Sequence, residues 1–274
     1  MANTALVWIR DDFRIQNNDA LTYATNQHDT VTAVFIFNSN IFDHKREAQK
    51  WWVSKSLENF KSDLKKLNIG LEIIKDDEIN FFSKIKSNSK ISVYWNKVYE
   101  PNELEKDKKI GSDFSKKNID FKFFKGNVLN EYNKITKNDG TPFKVYSPFW
   151  RNAEQFYLER LPDKISKVKK CKKINTLFKN QIKSEDILPK SDWYKKFEKY
   201  WEPSEQKAHE NLDNFVNKSI LNYGVDRDFP SIKGTSLLSP YIRNGQINVG
   251  DIWRKCKKLK SNNVSVKKLS LIHI

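Results

Sequence analysis

Residues 31–37 have the sequence VTAVFIF, an unbroken run rich in β-branched and aromatic side chains. Such a run is typical of a strand that is buried on both faces of a parallel sheet. Four further short apolar runs predict four more strands, at residues 5–9, 71–74, 91–95 and 121–124. Stretches with helical character lie between these strands, at residues 20–24, 47–67, 77–85 and 102–117.

This alternation of strands and helices predicts the fold class. Strand–helix–strand repeats form βαβ units, which place parallel strands in one sheet with helices on both faces. We therefore predict an α/β fold with a Rossmann-like five-stranded parallel sheet domain. The dinucleotide fingerprint G-x-G-x-x-G does not follow the first predicted strand, so an ordinary dinucleotide site is not expected.

The longest predicted helix, at residues 47–67, is amphipathic. After Trp51, the residues Leu57, Phe60, Leu64 and Leu67 recur at the spacings of three and four that keep side chains on one helix face. Gly70 follows this stretch, and a helix C-terminus favours glycine. We therefore predict that Gly70 ends the helix.

The composition limits the class of protein. With 38% apolar and 13% aromatic residues, the 274-residue chain can bury a core, which excludes a disordered protein. No apolar run is long enough to span a membrane, and the charged N-terminal stretch does not resemble a signal peptide. Cys171 and Cys256 are too few for a disulfide framework and lack metal-ligand spacing. We expect a soluble, cytoplasmic monomer.

The net charge of +16 is unevenly distributed along the chain. Residues 1–150 carry 24 basic and 20 acidic side chains, whereas residues 151–274 carry 26 and 14. Frequent Lys, Asn and Ile are typical of A/T-rich coding sequences, and we expect codon usage to contribute to the basicity. The excess in the second half favours a surface for a polyanion such as nucleic acid. A solvated lysine-rich surface is the alternative.

Beyond Gly126 the strand–helix alternation stops. We predict an α/β domain at residues 1–130 and a partly helical interdomain connector with turn signals and basic clusters at residues 131–203. Residues 204–268 are predicted to begin an all-helical domain, with helices near residues 204–218 and 246–260.

The last six residues, LSLIHI at 269–274, have an unusual possible origin. They can be encoded by CTG TCT CTT ATA CAC ATC, which looks like a transposon-derived sequencing adapter. We expect these residues to be an artefactual tail on a truncated gene model. A natural stop codon after Ile274, found by resequencing the locus, would contradict this expectation.

Five sequence phrases occur in order along the chain. They are VWIRDDFRIQNNDAL at residues 7–21, YEPNE at 99–103, DGTPFKVYSPFW at 139–150, WEPSEQKA at 201–208, and YGVDRDFP at 223–230 followed by GTSLLSPY at 234–241. Together they resemble the DNA photolyase/cryptochrome family, with conservative replacements in the first phrase. The fifth phrase is similar to the flavin-binding segment of that family.

The resemblance implies a deoxyribodipyrimidine photolyase, a light-driven DNA repair flavoprotein. In this family, excited reduced FAD gives an electron to a cyclobutane pyrimidine dimer in UV-damaged DNA, which splits the dimer. This chain alone is expected to fold its α/β domain but to bind FAD poorly and to be inactive, because one loop cannot replace an enclosing pocket. The alternatives are a cryptochrome-type blue-light photoreceptor without repair activity and a nucleotide-binding α/β module unrelated to flavin.

The loop at Thr235–Ser239 offers hydroxyl groups and backbone N–H groups ahead of a predicted helical stretch. Such a loop can bind a diphosphate. A simple Ser/Thr helix cap is the alternative. The resemblance implies that FAD is contacted by Tyr223, Thr235, Ser236, Leu237, Leu238 and Ser239.

Three further site residues follow from the resemblance. Arg227 is expected to lie near DNA phosphates, which suits the bidentate geometry of its guanidinium group; a surface pair with Asp228 is the alternative. Asn102 and Glu103 match positions that hold an antenna chromophore such as methenyltetrahydrofolate in some family members. A helix cap at Asn102, with acidic residues in the first turn, is the alternative there.

The sequence predicts no catalytic side-chain constellation and no metal site. Its four histidines are scattered, without a neighbouring nucleophile or metal-ligand spacing. The resemblance accounts for this, since the chemistry of the family resides in its cofactor.

Overall fold

A computed structural model of the chain describes residues 4–42, 47–86, 90–131, 134–160 and 167–257. The predicted tail at residues 269–274, and the part of the predicted helical domain beyond residue 257, lie outside the described residues. Within these ranges, no helix has both the length and the apolar character that crossing a membrane requires.

The five predicted strands form one parallel sheet, which confirms the α/β fold class. The strands are β1 (Thr4–Ile9), β2 (Thr30–Phe37), β3 (Gly70–Lys75), β4 (Ile91–Asn96) and β5 (Phe121–Phe124). Their order is β3-β2-β1-β4-β5, with Val7 of β1 opposite Ala33 of β2 and Tyr94 of β4. The chain therefore crosses from one side of β1 to the other between β3 and β4.

The central strands are buried on both faces, as their apolar runs predict. In β1, Leu6 and Trp8 contribute to the core on one face of the sheet, whereas Val7 and Ile9 contribute to the core on the other. All four side chains are at most 1% exposed. Because successive strand residues point to opposite faces, a strand covered on both faces must be apolar at every position.

Helices connect and cover the strands. They are α1 (Asp19–Gln27), α2 (Ser39–Phe42), α3 (Glu47–Lys66), α4 (Glu78–Ser83) and α5 (Pro101–Lys116). Leu57, Phe60 and Leu64 of α3 are buried against the sheet, as the amphipathic pattern predicts. The side chain of Asn18 caps the first turn of α1 by accepting a hydrogen bond from the backbone of Leu21.

The prediction that Gly70 ends α3 is wrong. The helix ends at Lys66, and Asn68 adopts the left-handed conformation (φ 57°) that often follows a helix. Gly70 is instead the first residue of β3, where a Cβ atom would lie 3.0 Å from the backbone oxygen of Asn175. Glycine at this position therefore permits the close approach of another backbone segment and does not mark a helix end.

The chain forms two compact units whose bounds differ from the predicted domain limits. The first contains Met1–Gly126, Ser166–His209 and Leu238–Ile247, and the second contains the segments between and beyond them. The predicted connector at residues 131–203 is thus divided between the units. Its later part belongs with the sheet because backbone hydrogen bonds join it to the sheet unit.

Residues 167–201 run along the sheet unit. The backbone N–H of Cys171 donates to the carbonyl of Leu67, and that of Ile182 donates to the carbonyl of Ile73 in the outer strand β3. Two short 3₁₀ helices follow, at Ser184–Ile187 and Asp192–Lys199. The segment covers part of the open edge of β3, which would otherwise present unpaired backbone groups.

The second unit is helical in its described part. It holds α6 (Tyr146–Arg160), α8 (Tyr223–Asp226), α10 (Val249–Lys257) and the greater part of α7 (Glu205–Lys218). A small core surrounds the buried Ala153, and the rings of Trp150 and Trp253 pack edge to face with centroids 5.7 Å apart. A further short helix, α9 (Ser239–Arg243), belongs to the sheet unit.

Candidate functional site

The loop that follows β1 is held by a buried polar network. Asp12 accepts hydrogen bonds from the backbone N–H of Arg10 (2.9 Å) and from the side-chain amide of Asn96 at the end of β4 (2.7 Å). The amide of Asn96 also lies 2.9 Å from Oδ1 of Asn18, the residue that caps α1. The loop after β1 is therefore an ordered element with buried polar groups.

This loop also binds two segments that are distant in sequence. The guanidinium group of Arg14, which is 2% exposed, donates to the carbonyl oxygens of Gly245 (2.8 Å) and Asn17 (3.1 Å). The carboxylate of Glu205 accepts hydrogen bonds from the backbone N–H groups of Ile15 and Gln16 at 2.6 and 2.9 Å. Burial raises the pKa of Glu205 above its ordinary value, although these hydrogen bonds and Arg14 oppose the shift.

Gly245 lies directly against the backbone of this loop. Its φ is 63°, and a Cβ atom there would lie 1.8 Å from the backbone oxygen of Asp11. Beside it, Gln246 accepts a hydrogen bond from the indole N–H of Trp52 (2.9 Å). These contacts fix the segment that follows α9 on the sheet unit.

A cleft of about 130 Å³ opens at the carboxyl ends of β1, β2 and β4. It is lined by Trp8, Ile9, Arg10, Asp11, Phe35, Ile36, Gln49, Val53, Glu78, Val98, Glu100, Glu103, Arg243 and Asn244. The chain reverses its direction across the sheet between β1 and β4, and open α/β sheets bind ligands outside the strand ends at such a switch point. The cleft is therefore the candidate small-molecule site of the sheet unit.

A network of buried ion pairs lies at this cleft. Arg10 donates to Asp107 (2.9 Å) and to the carbonyl of Asn96 (2.7 Å), and Lys106 pairs with Glu103 (2.8 Å) and Glu78 (3.0 Å). Burial raises the pKa of Asp107, although Arg10 lowers it. Burial opposes the charge of Lys106, but its two carboxylate partners raise its pKa overall.

One donor in this network has no acceptor. Among the described residues no acceptor pairs with Nε of Arg10, although this atom is buried and the side chain is only 10% exposed. The guanidinium group also lies 4.2 Å from the ring centroid of Trp8. A buried unpaired N–H costs free energy, so this network is not fully satisfied within the described residues.

Of the two predicted antenna residues, only Glu103 lines the cleft. Glu103 lines it and is already paired with Lys106, whereas Asn102 is exposed and is not a lining residue. The alternative of a helix cap at Asn102 is wrong, because α5 begins at Pro101 after an N-cap at Glu100.

The predicted flavin residues Tyr223, Thr235, Ser236 and Leu237 belong to the second unit. Tyr223 begins α8, is buried, and packs edge to face on Phe215 with ring centroids 5.6 Å apart. A Cβ atom at Gly234 would lie 2.5 Å from Cβ of Asp226, the last residue of α8. The loop therefore begins beside the helix that carries Tyr223, and glycine permits this close approach.

Three residues of this loop face solvent. Thr235, Leu237 and Ser239 are exposed, whereas Leu238 is buried and Ser236 is half-buried. Leu237 has φ 54°, a left-handed conformation that is uncommon for a bulky side chain. Backbone strain of this kind is concentrated at ligand-binding sites.

The alternative of a simple Ser/Thr cap at this loop is wrong. The N-cap of α9 is Leu238, which has no hydroxyl group, and Ser239 is already the first helical residue. Helix α9 has only five residues. Any diphosphate there would therefore depend on the loop's own N–H and hydroxyl groups rather than on a long helix dipole.

Arg227 is exposed at the C-cap of α8. Its Nε lies 3.5 Å from Oδ1 of Asp228, and its guanidinium carbon lies 5.8 Å from the ring centroid of Tyr223. The surface pair with Asp228 is therefore present, and the phosphate contact stays a prediction.

Sequence reasoning missed the residues that build the cleft. Arg10, Lys106 and Asp107 were not singled out, although Arg10 directly follows a predicted strand and Glu103 and Asp107 have the i, i+4 spacing of one helix face. Within the described residues, no three metal-binding side chains are grouped.

These features define an α/β protein with a Rossmann-like sheet and a ligand cleft at its topological switch point. The family model described as DNA photolyase matches residues 5–167, which is more than half of the chain. The chain therefore belongs to the DNA photolyase family.

Two curated relatives illustrate the range of the family. The chain is 30% identical over 266 residues to a deoxyribodipyrimidine photo-lyase of Agrobacterium fabrum, covering 95% of this chain and 55% of that protein. It is 24% identical over 269 residues to cryptochrome-2 of Arabidopsis thaliana, covering 95% and 44%. The chain thus spans about half the length of these relatives.

Solved structures have the same fold. A bacterial class III photolyase from Agrobacterium tumefaciens matches with a TM-score of 0.86 and 28% identity, over 99% of this chain and 57% of that one. An archaeal photolyase from Sulfolobus tokodaii, described as containing two FAD molecules, matches with a TM-score of 0.74 and 16% identity, over 98% and 58%. The second similarity concerns the fold alone.

Proposed function

We propose that this chain forms part of a deoxyribodipyrimidine photolyase, which uses light to split cyclobutane pyrimidine dimers in UV-damaged DNA. The observation that carries this proposal is the family match, together with 30% identity to a photo-lyase along nearly the whole chain. The bound flavin would supply the electron, so the protein's tasks are to hold the cofactor and the DNA. No side chain of this chain is proposed as an acid, base or nucleophile.

FAD is the proposed cofactor, with Tyr223 and the Thr235–Ser239 loop among its contacts. The left-handed backbone at Leu237 and the exposed hydroxyl groups of Thr235 and Ser239 suit a loop that binds a polar group through short side chains and backbone N–H groups. Arg227 is proposed to contact a DNA phosphate, which requires its exposed guanidinium group to exchange Asp228 for the phosphate.

An antenna chromophore is proposed for the cleft of the sheet unit. Arg10 and Glu103 both line this cleft, and a guanidinium group and a carboxylate suit the donor and acceptor edge of a polar ring such as that of methenyltetrahydrofolate. Asn102 does not line the cleft, so it would contact the chromophore only where the chromophore extends beyond the cleft.

A cryptochrome-type photoreceptor without repair activity is the second candidate. It is supported by the 24% identity to a plant cryptochrome over a similar length of chain. The predicted domain limits, the monomeric state and the cytoplasmic location remain predictions under either function.

The deciding experiment is an assay of light-dependent repair. The protein expressed from its native locus, with reduced FAD, is illuminated in the presence of an oligonucleotide that contains a thymine dimer. A photolyase restores the thymines in blue light and not in darkness. A protein that binds flavin and leaves the dimer intact in light would be a cryptochrome-type receptor.

A further inference from the structure

The basic excess of the second half is concentrated in one segment of the sheet unit. Residues 167–200, here called the lysine segment, contain eleven lysines and four acidic residues. The described residues 204–257, which include the predicted flavin loop, contain eight basic and six acidic residues. The charge asymmetry therefore belongs mainly to the lysine segment.

The backbone of the lysine segment is held in place along its length. Near its start, the N–H of Cys171 bonds to the carbonyl of Leu67. In the middle, the carboxylate of Glu72 accepts hydrogen bonds from the N–H groups of Leu177 (2.6 Å) and Phe178 (2.8 Å). A fixed backbone presents its side chains as a preorganised surface, which reduces the entropy lost on binding.

Most of these lysines have no acidic partner. Lys172 pairs with Asp29 and Lys195 pairs with Asp192, whereas nine lysines form no ion pair with any described residue. These nine are Lys167, Lys169, Lys170, Lys173, Lys179, Lys183, Lys190, Lys196 and Lys199. Acidic groups within the segment therefore do not neutralise its field, which can attract a polyanion.

Exposed aromatic rings accompany the last of these lysines. Tyr200 is 79% exposed and Trp193 is 39% exposed, next to Lys196 and Lys199 in the same 3₁₀ turns. Phe197 packs edge to face on both Trp51 and Trp193, with ring centroids 5.4 and 5.1 Å apart. Phe197 therefore anchors the turn and packs on the partly exposed ring of Trp193, and the ring of Tyr200 is available at the surface.

We propose that the lysine segment is a binding surface for single-stranded nucleic acid, with lysines contacting phosphates and Tyr200 stacking on an unpaired base. Positive charge that follows a backbone, combined with exposed aromatic rings, is the combination that binds single strands without sequence preference. This surface belongs to the sheet unit, whereas Arg227 belongs to the second unit. Binding at the lysine segment thus requires neither flavin nor a DNA lesion.

The test measures binding of the 274-residue chain to a fluorescein-labelled, undamaged oligothymidylate by fluorescence anisotropy. The variant K173Q/K196Q/K199Q is expected to bind about tenfold more weakly at about 50 mM salt. The slope of log K against log salt should fall by about 2, because each lysine–phosphate pair contributes about 0.7 to the slope for a single strand. The matched control K108Q/K109Q/K116Q removes three exposed lysines of α5 and should change the affinity less than about twofold.

Tyr200 provides a second, independent readout. Tyr200→Ala should weaken binding about five- to a hundredfold without changing the salt slope, since stacking contributes about 1–3 kcal/mol per base and no charge is removed. Tyr200→Phe should retain the affinity because the ring remains.

Four results would overturn the inference. One is the absence of salt-dependent binding, and another is an equal decrease in affinity in the lysine variant and its α5 control. The third is that Arg227→Gln weakens oligonucleotide binding whereas the lysine variant does not. That result would leave the proposed repair function standing. Self-association of the chain that Tyr200→Ala abolishes, without any effect on oligonucleotide binding, would likewise identify a protein interface instead.

Discussion

Arg14 shows how one buried side chain connects segments that lie far apart in the sequence. Its guanidinium group donates to the carbonyl of Gly245, 231 residues away, and to the nearby carbonyl of Asn17. The sequence indicates a charged loop after the first strand, but not which residues such a loop would bind. The partners become evident only when the tertiary fold brings residue 245 to the end of β1.

We predict that Arg14→Met lowers the free energy of unfolding by about 2–4 kcal/mol, because buried carbonyl groups lose charged hydrogen-bond donors. Urea denaturation of the chain measures this change. Arg151→Met, at an exposed arginine, is the control and should stay within about 0.5 kcal/mol of the wild type. Equal effects of the two substitutions would contradict the anchoring role of Arg14.

Gly245 and Gly140 form a matched pair for testing the close approach to Asp11. Both have positive φ values, 63° and 80°, but only at Gly245 would a Cβ atom meet another backbone, at 1.8 Å from the oxygen of Asp11. We predict that Gly245→Ala costs about 3 kcal/mol or more, whereas Gly140→Ala costs about 1 kcal/mol from backbone strain alone. Similar decreases in stability in urea denaturation would mean that the segment after α9 is not held against the loop.

The buried cysteine Cys256 should react slowly with thiol reagents. Burial raises its pKa to about 11, although Lys255 lowers it, so the thiolate fraction near pH 8 falls about a hundredfold relative to an ordinary thiol of pKa 9.0. We predict slow modification by a disulfide reagent in buffer and fast modification in urea, with the native rate rising as the pH increases toward 11. Fast modification of both cysteines in buffer near pH 8 would contradict the conclusion that Cys256 is buried.

At the scale of elements, the strands and long helices of the sheet unit could be predicted from sequence because their periodicity is strong. The end of α3 was misplaced because Asn68, rather than Gly70, takes the left-handed position. The path of residues 167–201 could not be predicted, since hydrogen bonds to Leu67, Glu72 and Ile73 hold it and no local pattern encodes those partners. The cleft could not be predicted either, because its lining residues come from distant parts of the chain and no local pattern encodes their proximity.

Glu72 allows a direct test of how the lysine segment is held. Its carboxylate accepts two backbone hydrogen bonds from Leu177 and Phe178, and burial nevertheless raises its pKa. In Glu72→Gln only one side-chain oxygen remains, so one N–H has no acceptor, and we predict that the free energy of unfolding falls by about 1–3 kcal/mol. Hydrogen exchange of the Leu177 and Phe178 amides should accelerate.

The exposed Glu185→Gln substitution is the control for this experiment and should leave both exchange rates unchanged. Unchanged exchange in Glu72→Gln itself would show that the segment is held by other contacts.

For the whole molecule, the family could be predicted from motif order, whereas the role of the charge asymmetry could not. The sequence places a net excess of basic residues in the second half, which also contains the predicted flavin segment. The structure assigns most of that excess to the lysine segment of the sheet unit. Net charge over a stretch of chain therefore does not locate a surface until the fold is known.

The measurement that tests the central claim most directly is the repair of a thymine dimer in an oligonucleotide by the flavin-loaded protein expressed from its native locus. We predict restored thymines after blue illumination, none in darkness, and a flavin absorption band that accompanies the activity. A flavin-containing protein that leaves the dimer intact in light, or a folded protein without any flavin band, would contradict the claim.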